Sequence, residues 1–151
     1  MGVGIAMGDL VLLRVLHGSA AYDASVALRN EVLRRPLGLE LTNGELEQER
    51  SDYHLVCQSG GKLVGCLVLV PQSNNEVKMR QVAVSPRAQG QGIGRALTQF
   101  AEDFARQRGF ARVTLHARAT AVPFYEKLGY EQVGEQFEEV TIPHWSMQKK
   151  L

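Results

Sequence analysis

The chain has 151 residues, 44% hydrophobic and 22% charged, with a formal net charge of +1. That length suits one domain, residues 1–151, with a sizeable core, and the composition excludes a disordered tail. A nearly neutral chain with scattered cations gives no reason to expect a nucleic-acid or anionic-membrane partner, and no apolar run approaches the ~20 residues of a membrane span.

The first ten residues carry neither the charged region nor the apolar stretch of a secretory leader, so a cytoplasmic protein is expected. Cys57 and Cys66 lie in apolar runs and read as reduced, buried thiols. Two cysteines and four scattered histidines lack ligand spacing, so no metal site is expected.

Leu10 to Leu16 reads as a strand. Ser19 can cap a helix running to about Arg35, with Val26 and Leu33 on its inner face, until Pro36 ends it. Thr42 to Arg50 is polar and reads as a short helix or loop. Asp52 to Gln58 and Lys62 to Val70 flank Ser59-Gly60-Gly61, a hairpin signal, and Asn74-Asn75 offers a second turn before Val77 to Val84. From Gly92 onward, Ile93, Ala96, Leu97, Phe100, Ala101 and Phe104 recur at helical spacing. Arg106 and Arg108 fall in the last turn, and Gly109 is the expected C-terminal cap. Ala111 to Ala117 is a strand, followed by a short helix from Thr120 closed by Gly129. Two further strands are expected near Tyr130 to Gly134 and Glu138 to Met147, the latter interrupted by Pro143. The order predicts an α/β protein built on a mixed sheet.

The junction Gly90-Gln91-Gly92-Ile93-Gly94 joins a strand to the long helix. The first N–H groups of a helix have no intrahelical partner and the dipole is positive there, so the junction favours an anion. Glycine removes the side chains that would hold a phosphate away from the backbone. A dinucleotide fingerprint fails, because its third glycine would fall at Arg95 or Leu97. A triphosphate loop fails too, for want of a Gly-Lys pair followed by Ser or Thr. What is present is Gln89-x-x-Gly92-x-Gly94 behind the strand Gln81-Val82-Ala83-Val84. Downstream stands Ala121-Val122-Pro123-Phe124-Tyr125-Glu126-Lys127-Leu128-Gly129-Tyr130.

These two segments resemble the acetyl-coenzyme A site of the GNAT superfamily of N-acetyltransferases, with its Q/R-x-x-G-x-G/A loop and A-x-x-F-Y-E-K-L-G-F segment. The resemblance implies a mixed, mostly antiparallel sheet flanked by helices, in the order β-α-α-β-β-β-α-β-α-β-β. It implies acetyl-coenzyme A as cosubstrate and an amine acceptor, and a homodimer is compatible with it. The backbone of Val82, Ala83 and Val84 would hold the pantetheine arm. The N–H groups of Gln89, Gly90, Gln91, Gly92, Ile93, Gly94 and Arg95 would hold the pyrophosphate. Tyr125 would serve as general acid, although its place on an apolar helix face also suits a core tyrosine. Arg118 stands where many members carry asparagine, and can reach a phosphate or an acidic substrate or face solvent.

The base is open. His116 has the intrinsic pKa for the task and is a candidate, while Glu76 is further away and Glu138, Glu139 and His144 lie in the C-terminal hairpin. The acceptor region holds Arg29, Arg34, Arg35, Glu45, Glu47 and Glu49, which spell no substrate. A non-catalytic acyl-coenzyme A sensor on the same fold is the alternative reading, and a nucleotide-binding module is a third.

Overall fold

Eight strands form one sheet in the computed structural model, which describes residues 4–151. Met1–Val3, part of the segment read for a leader, lie outside the described residues. The strands are β1 Gly4–Met7, β2 Leu10–Val15, β3 Tyr53–Ser59, β4 Lys62–Pro71, β5 Glu76–Val84, β6 Arg112–Arg118, β7 Glu131–Glu139 and β8 Ile142–Lys150. Their spatial order is β1-β2-β3-β4-β5-β6-β8-β7. Every pair is antiparallel except β5 against β6. The mixed, mostly antiparallel sheet is therefore the one expected. The edge strand β1 is an addition, its four residues being too few to show a period.

Four α-helices accompany the sheet: α1 Ala20–Arg29, α2 Asn43–Gln48, α3 Ile93–Gln107 and α4 Val122–Lys127. Ser19 caps α1 as expected, its Oγ accepting from the Tyr22 N–H at 3.1 Å. The helix does not run on as α to Arg35. Asn30–Arg34 form a wider π turn and Arg35–Leu37 a 3₁₀ turn. Tertiary partners accompany the change, since the buried Asn30 accepts from the Leu41 N–H through Oδ1 at 2.8 Å. A π turn of this kind inserts one residue and re-aims the chain that follows.

The C-terminal strands also differ from expectation. The hairpin turn falls at Val140-Thr141, both with positive φ, so Glu138 and Glu139 end β7 instead of opening β8. Pro143 does not interrupt β8. The register with β6 begins at Arg118↔His144, so no β6 partner is required at the proline.

The helices divide between the two faces. Leu97, Phe100, Ala101 and Phe104 of α3 pack with Leu55, Leu67, Leu69, Val77 and Met79 on one face. Tyr22 and Leu28 of α1 pack with Val56, Cys66 and Ala83 on the other. The α3 start sits directly on the β4 backbone. A Cβ at Gly65 would lie 2.7 Å from Leu97 Cδ1 and 2.8 Å from Ile93 Cγ2. Cys57 and Cys66 are buried free thiols, one in each cluster, so the sheet itself separates them. No helix among the described residues is long and apolar enough to cross a membrane.

Candidate active site

The sheet opens between β5 and β6. Their parallel register runs from Glu76↔Arg112 to Met79↔Leu115 and stops. From Arg80 to Val84 the β5 edge facing β6 has no strand partner among the described residues. A bulge accompanies the break. Between the pairs Val68↔Arg80 and Cys66↔Ala83, Gln81 and Val82 of β5 oppose Leu67 of β4 alone. Gln81 has φ 53°, an uncommon left-handed conformation for a residue with a side chain. The inserted residue exchanges the faces of the strand. Val77 and Met79 point toward α3, whereas beyond the bulge Ala83 points toward α1 and Val82 and Val84 pack on the α3 side. Periodicity alone cannot reveal such a bulge. An edge of unpaired N–H and C=O groups is what an extended amide-bearing ligand requires.

That open edge leads to the glycine junction. Gly92 is the N-cap of α3, with φ 76° and no side-chain cap, and Gly90 has φ 81°. The first α3 turn closes with Ala96 N–H donating to Gly92 O at 3.0 Å. The N–H groups of Ile93, Gly94 and Arg95 precede that bond and have no acceptor among the described residues. A Cβ at Gly90 or Gly92 would meet no atom within 4 Å, so the loop presents bare backbone to open space. Gly94 has another reason to lack a side chain, because a Cβ there would lie 3.3 Å from Phe124 Cζ. Phe124 thus rests over the α3 start instead of joining Tyr125 on the inner face of α4. Gln89, Gln91 and Arg95 are exposed around the loop.

At the other end of the split lies a cavity of about 580 Å³. Its wall contains Met79, Arg80, Gln81 and Val82 of β5, Leu115–Arg118 of β6, and Tyr125. Tyr125 is buried, packs edge-to-face on Phe124 and Tyr130, and its hydroxyl has no hydrogen-bond partner among the described residues. Burial pushes its pKa up to about 12. His116 Nδ1 lies 2.9 Å from Glu139 Oε1. A carboxylate can only accept, so Nδ1 carries the proton and the neutral ring keeps its lone pair on Nε2. Burial alone would raise the Glu139 pKa, but the His116 hydrogen bond together with the neighbouring His116, His144 and Lys78 outweighs it and holds the carboxylate below its usual range. His144 lies against the same carboxylate, with Nε2 at 3.8 Å, and donates through Nδ1 to Ile142 O at 2.7 Å. An imidazole oriented by a carboxylate is a competent base. Arg118 lines the cavity as well, whereas Glu76 is paired with Arg112 at 3.2 Å and Glu138 lies outside the wall.

Behind the bulge stands a polar cluster that no local pattern announced. Arg29 is 1% exposed and bonds both Glu49 oxygens. Its Nη1 also donates to Gln81 Oε1 at 2.9 Å, which ties the bulge to the end of α1. Tyr22 Oη donates to Glu49 Oε2 at 2.6 Å, and His54 Nε2 lies 2.9 Å from Glu49 O. Burial holds the His54 pKa below its ordinary value, so the ring stays neutral in the fold while the unfolded chain takes up a proton first. Stability should fall as pH drops below the unfolded value of ~6.5, by at most about 1.4 kcal/mol per pH unit. Melting curves between pH 7.5 and 5 should show this slope in the wild type and a shallower one in His54→Gln. An unchanged slope would remove His54 as its origin.

Comparison with known proteins agrees with this architecture. Residues 30–151 match the family model described as an acetyltransferase (GNAT) domain. Mouse N-acetyltransferase 8 is 32% identical over 104 residues, covering 64% of this chain but only 45% of the relative's own length. The crystal structure of an acyl-CoA N-acyltransferase from Pseudomonas aeruginosa superposes with a TM-score of 0.79 at 26% identity, covering 93% of this chain and 99% of that one. An aminoglycoside 6'-N-acetyltransferase complexed with coenzyme A shares the fold, with a TM-score of 0.77 at 17% identity and coverage of 92% and 96%. The split sheet, the glycine-started α3 and the Phe124-Tyr125 helix occur together on a chain that belongs to the GNAT acetyltransferase superfamily.

Proposed function

We propose that the protein moves an acetyl group from acetyl-coenzyme A to a primary amine of a small molecule or peptide, by direct attack in a ternary complex. One observation carries the reading. The unpaired β5 edge from Arg80 to Val84 is continuous with the glycine N–H groups at one end and with the Tyr125 and His116 cavity at the other. A diphosphate on a pantetheine arm fits that sequence of donors. Val82, Ala83 and Val84 pair with the arm, and the backbone from Gln89 to Arg95 holds the pyrophosphate.

The thioester supplies the activated acetyl group. His116 Nε2 receives the proton lost by the ammonium form of the acceptor, directly or through water, so the amine attacks with a free lone pair. The new C–N bond forms as the C–S bond breaks. Tyr125 faces the departing sulfur. Full proton transfer from a phenol at about 12 to a thiolate of ordinary pKa ~8.5 is uphill by about 5 kcal/mol. Tyr125 therefore acts chiefly as a hydrogen-bond donor to the thiolate, and the second amine proton completes the thiol. Tyr125→Phe should lower kcat by about tenfold to a hundredfold, the worth of one hydrogen bond to a charged group, with little change in coenzyme affinity. Unchanged steady-state turnover would remove that role.

The decisive experiment is free-thiol release from acetyl-coenzyme A across amines, polyamines, amino acids and peptides. Release with at least one acceptor class is expected. Tight coenzyme binding with no release for any amine would overturn the enzyme reading in favour of an acyl-coenzyme A sensor.

A further inference from the structure

We propose that the acceptor is a free amino acid with an apolar side chain, recognised through its α-carboxylate by Lys78 and Arg80. The inference rests on the acetyltransferase reading and concerns the acceptor end of the same cavity.

The charge of that wall is unlike the charge of the chain. Arg34, Lys78, Arg80 and Arg118 line the cavity, and Glu139 is its one carboxylate, in a protein whose formal net charge is +1. Glu139 is engaged by His116, and Arg34 by Glu45 at 3.1 Å. Lys78, Arg80 and Arg118 have no carboxylate within the 4.0 Å ion-pair distance among the described residues. Asp52 and Glu49 lie across a smaller adjoining cavity that also touches Arg80. Glu49 is committed to Arg29 and Tyr22, and Asp52 lies beyond pairing distance. Burial, with Arg80 beside it, holds the Lys78 ammonium below its ordinary pKa, a penalty that an incoming anion would relieve.

Position separates these cations from the coenzyme. Lys78 and Arg80 alternate with the core residues Val77 and Met79, so they share the other face of β5 ahead of the bulge. No residue between Ser85 and Arg95 lines the cavity, so neither cation stands at the glycine junction. Lys78 pairs with Thr114. The register ends with Met79↔Leu115, so Arg80 and His116 stand together at the mouth of the split, and Arg118 lies two residues further along β6, past the paired stretch. Arg80 and His116 both stand one residue beyond that last pair, where the strands have only begun to part, and both line the cavity. An acceptor with its amine at His116 and its anion at Arg80 therefore keeps the two groups close, as an α-amino acid does. Leu33, Leu37, Leu39 and Ile142 form the remaining wall, which suits an apolar side chain.

The test compares phenylalanine, phenylalaninamide and phenethylamine, and the matching set built on leucine, by thiol release at low ionic strength. The amide has the more readily deprotonated amine, so intrinsic reactivity works against the expected order. At least one free acid should exceed both its neutral counterparts in kcat/KM by about tenfold to a hundredfold. That ratio should shrink in high salt and in Lys78→Met/Arg80→Met. Unaltered melting temperature and coenzyme affinity would show that the variant keeps its fold. Equal or better turnover of the amide or the plain amine overturns the inference, as does turnover confined to polyamines or peptides. The acetyltransferase reading survives both of those outcomes. Silence of every amine, with coenzyme bound, strikes that reading itself.

Discussion

Gly92→Val is expected to weaken coenzyme A binding by at least about a hundredfold while leaving a folded protein. Gly92 ends the loop at φ 76° and starts α3. A β-branched residue strongly disfavours that conformation, at a cost of about 1–3 kcal/mol. The space around the position is open, so the added side chain meets no neighbour and the core is untouched. The backbone relieves the strain by turning the N–H groups of Ile93, Gly94 and Arg95. Losing two charge-assisted hydrogen bonds at about 1.5–3 kcal/mol each more than accounts for the hundredfold. Calorimetry with coenzyme A, alongside a thermal melt, reads both effects. Retained affinity would remove the pyrophosphate cradle from the proposed site.

Arg29→Met should be the most destabilising of these substitutions, by about 3–5 kcal/mol in chemical denaturation. The change leaves the Glu49 carboxylate buried with only the Tyr22 hydroxyl for company. Burial would raise the Glu49 pKa, but bonds from Arg29 and Tyr22 outweigh it and hold the pKa below its usual range. Stability from this group is thus present above the unfolded value of ~4.3 and lost as pH falls through the lower folded value. Against a typical total of 5–15 kcal/mol the loss is large. Arg29→Met/Glu49→Gln should recover much of it, since removing both charges leaves none uncompensated. The same variants separate packing from positioning. Freed from Arg29, Gln81 no longer anchors the bulge, so coenzyme A should bind more weakly while adenosine 3',5'-bisphosphate, which lacks the pantetheine arm, binds unchanged. Equal losses for both ligands would reduce the ion pair to a structural role.

The strands from Leu10 to Val84, α3 and the glycine junction were legible because each follows from residues adjacent in the chain. Apolar spacing, a serine cap and paired turn residues are local signals. The sequence reading erred where distant partners decide. The π turn after Arg29 accompanies distant partners, Leu41 for Asn30 and the buried Glu49 for Arg29. Pro143 reads as a strand break, yet lies where β6 requires no bond. Tyr125 was found through its segment and His116 through its intrinsic pKa. The Glu139 carboxylate that orients His116 lies 23 residues away on another strand, and nothing local selects it over Glu138.

The resemblance to an acetyltransferase is thus carried by the chain itself, because the glycine-started helix and the Phe-Tyr helix are short, contiguous segments. The acceptor side is not. Arg29 and Gln81 are 52 residues apart, and they touch only because α1 packs across the β5 bulge. Lys78 and Arg80 read in the chain as ordinary alternating charges on a strand. Only the tertiary packing sets them on one cavity wall with His116, Lys78 from the last paired stretch of β5 and β6 and Arg80 from the point where the two strands part. The physical reason is that residues on different strands meet only once the sheet forms.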